Sequence, residues 1–366
     1  MARALDSTPA VDGYRMPAEW APHDGCWMAW PERPDTWRDH AGPAQEAYAA
    51  VAAAIAEAEP VTVGASGDQL DRARSLLPDT VQVVELETDD AWMRDIGPTF
   101  VVDDRGGRRG VDWEFNAWGG SLGGLYPSWD RDDAAAERVL HVVGAERYRA
   151  PLVLEGGSIH VDGEGTLLTT EQCLLNPNRN PGLDRGQIEQ LLRAHTGAET
   201  VIWLGDGVID DETDGHIDNL ACFVRPGVVA LTWTDDPDDP QHAVSLDARR
   251  RLEHAVDAAG RSIEVHVIHQ PGPLALTGAE AAGVEPAPGA KPRPAGARLA
   301  ASYVNFYIAN NRIVAPLLDE RTDDAAFAVL SELFPDRRVV GVAAREILLG
   351  GGNIHCITQQ IPAPKR

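Results

Sequence analysis

Apolar positions along this chain follow two alternating rhythms. TFVVDDRGGRRGVDWEF, SIHVDGEGTLLTT, ACFVRPGVVALTW and NFYIANNRIVAPLL each run as a short apolar stretch, a polar or glycine-bearing turn and a second apolar stretch. That arrangement predicts four β-hairpins, because Asp, Asn, Gly and Pro accept the dihedral angles a chain reversal needs. Between them lie AGPAQEAYAAVAAAIAEAE, RGQIEQLLRAHTG, SLDARRRLEHAVDAAG and DDAAFAVLSELF, whose apolar residues recur every three or four positions, the period of a helix with one buried face. A further strand is expected near GCWMAWP and another in IHCITQQIP. The chain therefore reads as a repeated unit of hairpin and helix, with a fifth unit assembled from its two ends.

Local sequence supports the repetition. EGGSIHV (Glu155 to Val161) aligns with GGGNIHC (Gly350 to Cys356), and DDAWMRDI (Asp89 to Ile96) with DDETDGHI (Asp210 to Ile217). Together with the hairpins, these matches point to radial repetition of an α/β unit. No segment has the composition of a linker between domains, so residues 1–366 are expected to form one domain. The Pro-, Ala- and Gly-rich stretch from Thr277 to Arg298 is expected to be a large surface loop, since loops of this length are usually functional or mobile.

Composition narrows the class. The formal net charge of -25 disfavours a nucleic-acid partner, whose phosphates would be repelled, and favours a small cationic ligand. The first residues, MARALDSTPAVDGYRMP, lack the apolar core of a signal peptide, and no run approaches the roughly 18 apolar residues of a membrane span. A cytoplasmic, soluble protein without a membrane partner is expected. Cys26, Cys173, Cys222 and Cys356 are scattered with no Cys-x-x-Cys pair, against a zinc ribbon or a disulfide framework.

The candidate chemistry begins at LGGGNIHCITQQIP, where three glycines precede Cys356. Cys356 is expected just inside a strand, beside a flexible, open loop, which on its own equally describes an inert buried thiol. The repeats favour a functional reading. His216 and Asp218 stand two apart at the start of an apolar run and, on a strand, would face one side. Asp95 matches His216 in the aligned segment and Glu155 matches Gly350, and equivalent positions in a ring converge on its axis. Cysteine with histidine forms the nucleophile and acid–base pair of covalent catalysis. Three further carboxylates exceed what an amide-cleaving thiol enzyme needs and suit a guanidinium, whose planar N–H donors match carboxylates.

PAEWAPHDGCWMAWP, DDAWMRDIGPTFVV, VDWEFNAWGG, LEGGSIHVDGEGTLLTTEQCLLNPNRNP, DETDGHIDNLACFVRPG, AASYVNFYIAN and EILLGGGNIHCITQQIP occur in that order. The chain thereby resembles the agmatine deiminases of the pentein superfamily, relatives of the bacterial-type peptidylarginine deiminases, from about Tyr14 to Pro362. It departs from them at Ile96 and Cys26, where threonine is common in the family. The resemblance implies the pentein fold, a five-bladed pseudo-symmetric α/β propeller. It implies Cys356 as nucleophile, His216 as general acid and base, Asp95 and Asp218 as guanidinium-binding carboxylates, and Glu155 as the carboxylate that orients His216. The implied reaction is hydrolysis of agmatine to N-carbamoylputrescine and ammonia through an S-amidino-cysteine, a step of putrescine formation, with no cofactor and no metal. A homo-oligomer, a dimer, is also implied.

Two other classes compete. A metal-dependent ureohydrolase would use His216, Asp218, His160, His355 and Glu155 as ligands, but the dense Asp and His clusters of two-metal sites are missing from the sequence. A pentein-fold binding protein that docks on a ribosomal subunit has no use for a nucleophile, a base and three carboxylates. For the substrate tail, Trp92, three residues before Asp95, is expected to pack the methylene chain, and Asp214, two before His216, to receive the distal ammonium. No basic residue in these motifs stands out as a partner for the carboxylate of arginine.

Overall fold

The computed structural model of the chain describes residues 1–364. Its strands are β1 (His23–Ala29), β2 (Val61–Ala65), β3 (Gln82–Glu85), β4 (Thr99–Val102), β5 (Arg108–Glu114), β6 (Glu146–Val153), β7 (His160–Val161), β8 (Thr166–Thr170), β9 (Thr200–Leu204), β10 (Ala221–Arg225), β11 (Val228–Trp233), β12 (Glu264–His269), β13 (Tyr307–Ala309), β14 (Arg312–Leu317), β15 (Arg338–Ala343) and β16 (Gln359–Pro362). Among the described residues they form five sheets, ordered β4-β5-β6, β7-β8-β9, β10-β11-β12, β13-β14-β15 and β16-β1-β2-β3. In the first four an antiparallel hairpin is extended by a parallel third strand. The crossover to that strand carries a helix, which is how parallel neighbours must be joined.

The fifth sheet closes the ring. β16 pairs antiparallel with β1, from Trp27↔Gln359 to His23↔Pro362, and β1 pairs parallel with β2, so one blade is built from both ends of the chain. β3 adds a fourth strand that the sequence pattern does not single out. The result is the five-bladed pentein propeller.

Each helix packs outside the strands, on its own blade or against the next. Gly42–Ala56 lies on β2 and also on β14 and β15, and Asp323–Leu333 lies on β12, β14 and β15. Arg185–Thr196 starts with a capping box in which Asp184 accepts from the N–H of Gln187 and the Gln187 side chain accepts from the N–H of Asp184. The third of the expected helices differs from expectation, running Gln241–His254 rather than on through AVDAAG. Asp257 stops it, accepting the backbone N–H groups of Ala259 and Arg261 and so favouring a turn over helix continuation. The inner strands are apolar on both faces, and all of β4, β8 and β11 is buried.

The stretch from Thr277 to Arg298 is tied down rather than free. A second capping box, Thr277 with Glu280, opens the short helix Gly278–Ala282, and Arg298 forms a two-bond ion pair with Asp239 at 2.8 and 3.0 Å. It crosses the chain as a strap, and one of its arginines reaches the site described next.

Candidate active site

The same place in every blade carries a polar residue. Asp95 lies on the helical turn Met93–Ile96 just before β4, and Glu155 precedes the 3-10 turn Gly156–Ser158 that leads into β7. His216 and Asp218 flank the start of the turn Ile217–Leu220 before β10. Asn305 precedes β13, and Cys356 precedes β16. Repetition of the hairpin thus aims one polar segment per blade at a common point.

Two local expectations are corrected here. His216 and Asp218 are not strand residues. His216 is extended (φ -51°, ψ 142°) and caps a helical turn, and it is this change of direction that brings both side chains inward. Cys356 is not inside a strand beside an open loop either. It sits in a tight turn three residues before β16, where the Thr358 hydroxyl donates to the carbonyls of Ile354 and His355 at 2.9 and 3.0 Å. The preceding glycines are packed: a Cβ on Gly352 would lie 2.4 Å from the Trp92 ring.

Gly157 marks the convergence. A Cβ built on it would stand 2.6 Å from Nδ1 of His216, 2.9 Å from Oδ2 of Asp218 and 2.9 Å from Oδ1 of Asp95. Any side chain there would occupy the space the three groups share. Its own N–H donates to Asp95 Oδ1 at 2.9 Å, while Trp118 Nε1 donates to the other oxygen at 2.9 Å. The Sγ of Cys356 lies 3.5 Å from Oδ2 of Asp218 and accepts from the Asn305 amide at 3.2 Å. All five sequence-chosen residues, Cys356, His216, Asp218, Asp95 and Glu155, are buried.

Burial and charge set their protonation. Burial, with the charges of Asp218 and Asp95, pushes the Cys356 thiol well above its ordinary range and so favours the neutral thiol. Burial raises Asp95 to about 6; His216 opposes this, and the like charges of Asp218 and Glu155 add to it. Burial alone would raise Asp218, but the hydrogen bond and charge of His355 outweigh it and lower the carboxyl. For Glu155 burial is likewise outweighed, by Arg179 and His216, and the carboxyl falls to about 2. His216 moves the other way: burial favours the neutral ring, yet Asp95, Cys173 and Glu155 raise it well above the ordinary histidine value. Its Nε2 is 3.4 Å from Glu155 and its Nδ1 3.8 Å from Asp95, ion-pair separations without hydrogen bonds of good geometry. The site is therefore a pre-formed set of acids around an imidazolium and a neutral thiol.

A second layer stands inside the quoted motifs; of its members the sequence reading singled out His355 alone, as a possible metal ligand, and missed Glu19, Arg94 and Arg179. His355 bridges Asp218 (2.9 Å) and Glu19 (2.9 Å), and Glu19 also meets Arg94 at 3.3 Å. Arg179 holds Glu155 through Nε at 2.7 Å. These cations balance buried carboxylates that would otherwise be costly to ionise. Asn305 could have been found as the one blade position left unassigned by the repeat.

The cavity beside Cys356 is small, about 10 Å³, with Trp92, Trp118 and Leu125 as apolar wall and Asp95 and Glu212 as acids. Trp92 thus borders the site as expected, its ring stacked on Trp37 and its Nε1 donating to Asp90 at 3.1 Å. Asp214 does not line this cavity. Its carboxylate accepts from Asn178 at 2.8 Å and Arg179 at 2.9 Å, because its backbone (φ 62°) turns it toward the Arg179 side. Glu212, two residues earlier, lines the cavity instead and faces Arg293 of the strap at 2.6 Å. Arg293 also donates to the carbonyls of Leu349 at 3.1 Å and Gly350 at 2.7 Å, pinning the glycine loop. Glu212 and Gly351 separate this cavity from a larger one of about 480 Å³ beneath the strap.

Comparison with known proteins identifies the family. The family profile of the Porphyromonas-type peptidyl-arginine deiminases matches residues 15–362. A protein of Stutzerimonas stutzeri (strain A1501) named agmatine deiminase is 59% identical over 362 residues, 98% of each chain, and one of Pseudomonas aeruginosa (strain LESB58) with the same name is 58% identical over 362 residues, again 98% of each. The solved structure of the agmatine deiminase of Enterococcus faecalis superimposes with a TM-score of 0.97 at 45% identity, covering 99% of this chain and 100% of that one. With the family's motifs folded into one buried acidic site, the chain belongs to the Porphyromonas-type peptidyl-arginine deiminase family and, within it, to the agmatine deiminases.

Proposed function

We propose that residues 1–366 act as one catalytic domain that hydrolyses agmatine to N-carbamoylputrescine and ammonia. The observation that carries this reading is the meeting of His216, Asp218 and Asp95 within 3 Å of one point above Gly157, with the Cys356 sulfur 3.5 Å from Asp218. Two buried carboxylates facing a thiol are matched by a planar cation placed between them.

The guanidinium enters as a cation and gives N–H groups to Asp95 and Asp218. Its charge offsets theirs, so the Cys356 thiol, otherwise neutral, releases its proton to solvent more readily and attacks the guanidinium carbon as thiolate. His216 then gives its proton to one amino nitrogen, which leaves as ammonia, and the substrate remains as an S-amidino thioether on Cys356. Neutral His216 takes a proton from water, the hydroxide adds to the amidino carbon, and the thiolate departs. Glu155, fixed by Arg179, holds His216 in place through both steps. Trp92 packs the methylene chain, and Glu212 at the outer edge of the cavity receives the distal ammonium. Asp214 serves Arg179 instead.

The test is incubation with agmatine, arginine and a peptidyl-arginine, followed by identification of the nitrogen products. Ammonia and N-carbamoylputrescine are expected from agmatine. Urea and putrescine would mark a ureohydrolase.

A further inference from the structure

We propose that Glu155, Cys173 and His216 form a second binding site, for a zinc-class divalent cation, whose occupation stops turnover. Among the described residues, these are the three His, Cys, Asp or Glu side chains whose ligand atoms all lie within 4.8 Å of one another. Oε2 of Glu155 is 3.4 Å from His216 Nε2 and 3.9 Å from Cys173 Sγ. Zinc bonds of about 2.0–2.3 Å in tetrahedral geometry place ligand atoms about 3.3–3.7 Å apart, so the two pairs that include Glu155 are near ligand spacing and the third lies within 4.8 Å.

The surroundings also suit a metal. Both ring nitrogens of His216 are buried and lack a hydrogen bond; Nε2 is open to the trio, and Nδ1 faces Asp95 at 3.8 Å, on the side where a carboxylate orients a ligating imidazole. Arg179 holds the other oxygen of Glu155 and leaves Oε2 toward the trio. A thiolate and a carboxylate neutralise a divalent charge, and a set of thiolate, imidazole and carboxylate selects zinc and cobalt over magnesium and calcium. The proposed reaction makes no use of Cys173, which is fully buried behind the histidine.

Binding converts the Cys173 thiol to thiolate and the His216 imidazolium to neutral imidazole, and both protons pass to solvent. Because those protons are released on binding, occupation strengthens as pH rises. The inhibition rests on the acid–base role proposed for His216; the binding itself does not.

The probe is Co²⁺ added to Cys356→Ala enzyme, in which the nucleophile is absent. One ion per chain and a sulfur-to-cobalt charge-transfer band are expected, and both should vanish in Cys356→Ala carrying Cys173→Ala or Cys173→Ser. In wild type, free Zn²⁺ at about ten times its Kd should lower the rate about tenfold. A chelator should restore it, and Mg²⁺ should have no effect. Cys173→Ala, measured against its own metal-free rate, should resist the same Zn²⁺. A band that survives loss of Cys173, or none in Cys356→Ala, would overturn the site. Cobalt bound through Cys173 with wild-type turnover unchanged by zinc would keep the site and remove His216 from its acid–base role.

Discussion

The side-chain amide of Asn305 donates to the Sγ of Cys356 at 3.2 Å, while its carbonyl oxygen accepts the backbone N–H of His355 at 2.9 Å. The nucleophile is thus held from a neighbouring blade, with the hydrogen bond aimed at the atom on which negative charge develops. Asn305→Ala should lower kcat about 10- to 100-fold, since a hydrogen bond to a charged group contributes about 1.5–3 kcal/mol, and should change KM little. Asn305→Asp keeps the shape but adds a negative charge beside two others, and its kcat should fall below that of Asn305→Ala. Steady-state kinetics of both variants check the order.

Cys356→Ala and Cys356→Ser should lose at least about a thousandfold in kcat, the scale set by removing a covalent nucleophile. Cys26→Ala and Cys222→Ala should retain most activity. Because burial and the charges of Asp218 and Asp95 favour the neutral thiol, a cationic haloacetamidine should alkylate Cys356 faster than a neutral haloacetamide, each rate normalised to free cysteine. Equal normalised rates would remove the role given to substrate charge.

Asp95 links activity and stability to pH with opposite signs. Its carboxyl is raised from 3.8 to about 6, so the folded state holds a proton there that the unfolded state has already lost. Between those values stability falls as pH rises, by about 3 kcal/mol at 1.36 kcal/mol per unit. Asp95→Asn should lack this component when unfolding is followed by denaturant titration at pH 4 and pH 7. Substrate capture needs the charged form, so kcat/KM of wild type should rise with pH through about 6.

Glu212→Gln should raise KM for agmatine about tenfold with kcat nearly unchanged, the loss of one charge-assisted contact of about 1.5 kcal/mol. Asp214→Asn should act through Arg179 and show itself in kcat. Agmatine should be preferred to arginine by a wide margin, because arginine brings a carboxylate to an acidic site, and Arg293 of the strap is already held by Glu212 and two carbonyls. The kcat/KM for agmatine should fall as salt is added to this protein of formal charge -25. Equal efficiency on both guanidines would count against the tail site and leave the thiol chemistry intact.

Hairpins and helices were legible because each is specified by neighbours in sequence: turn residues at the reversals and a three-to-four-residue apolar period between them. Asp95 and Glu155 stood out because the repeat aligns them with His216 and with the loop before Cys356, and Asp218 because it stands two residues from His216. The turns that carry them were not, since His216 and Asp218 look strand-like until the Ile217–Leu220 turn redirects them. Asp214 and Glu212 are two residues apart on the same segment, and which of them meets the cavity depends on Arg179 and Arg293, more than thirty and eighty residues away. Long-range ion pairs of that kind leave no periodic trace in a sequence.

The pairing of β16 with β1 has a temporal meaning. Cys356 finds its place only when Gln359–Pro362 adds to a strand formed by residues 23–29, the most distant sequence contact a sheet of this ring makes. Contacts of such separation form late, because the intervening chain must already be ordered before closure is rewarded. A partly folded chain therefore carries its acids and its histidine but no positioned thiol. Until that pairing closes, the sulfur has no catalytic neighbours to act with.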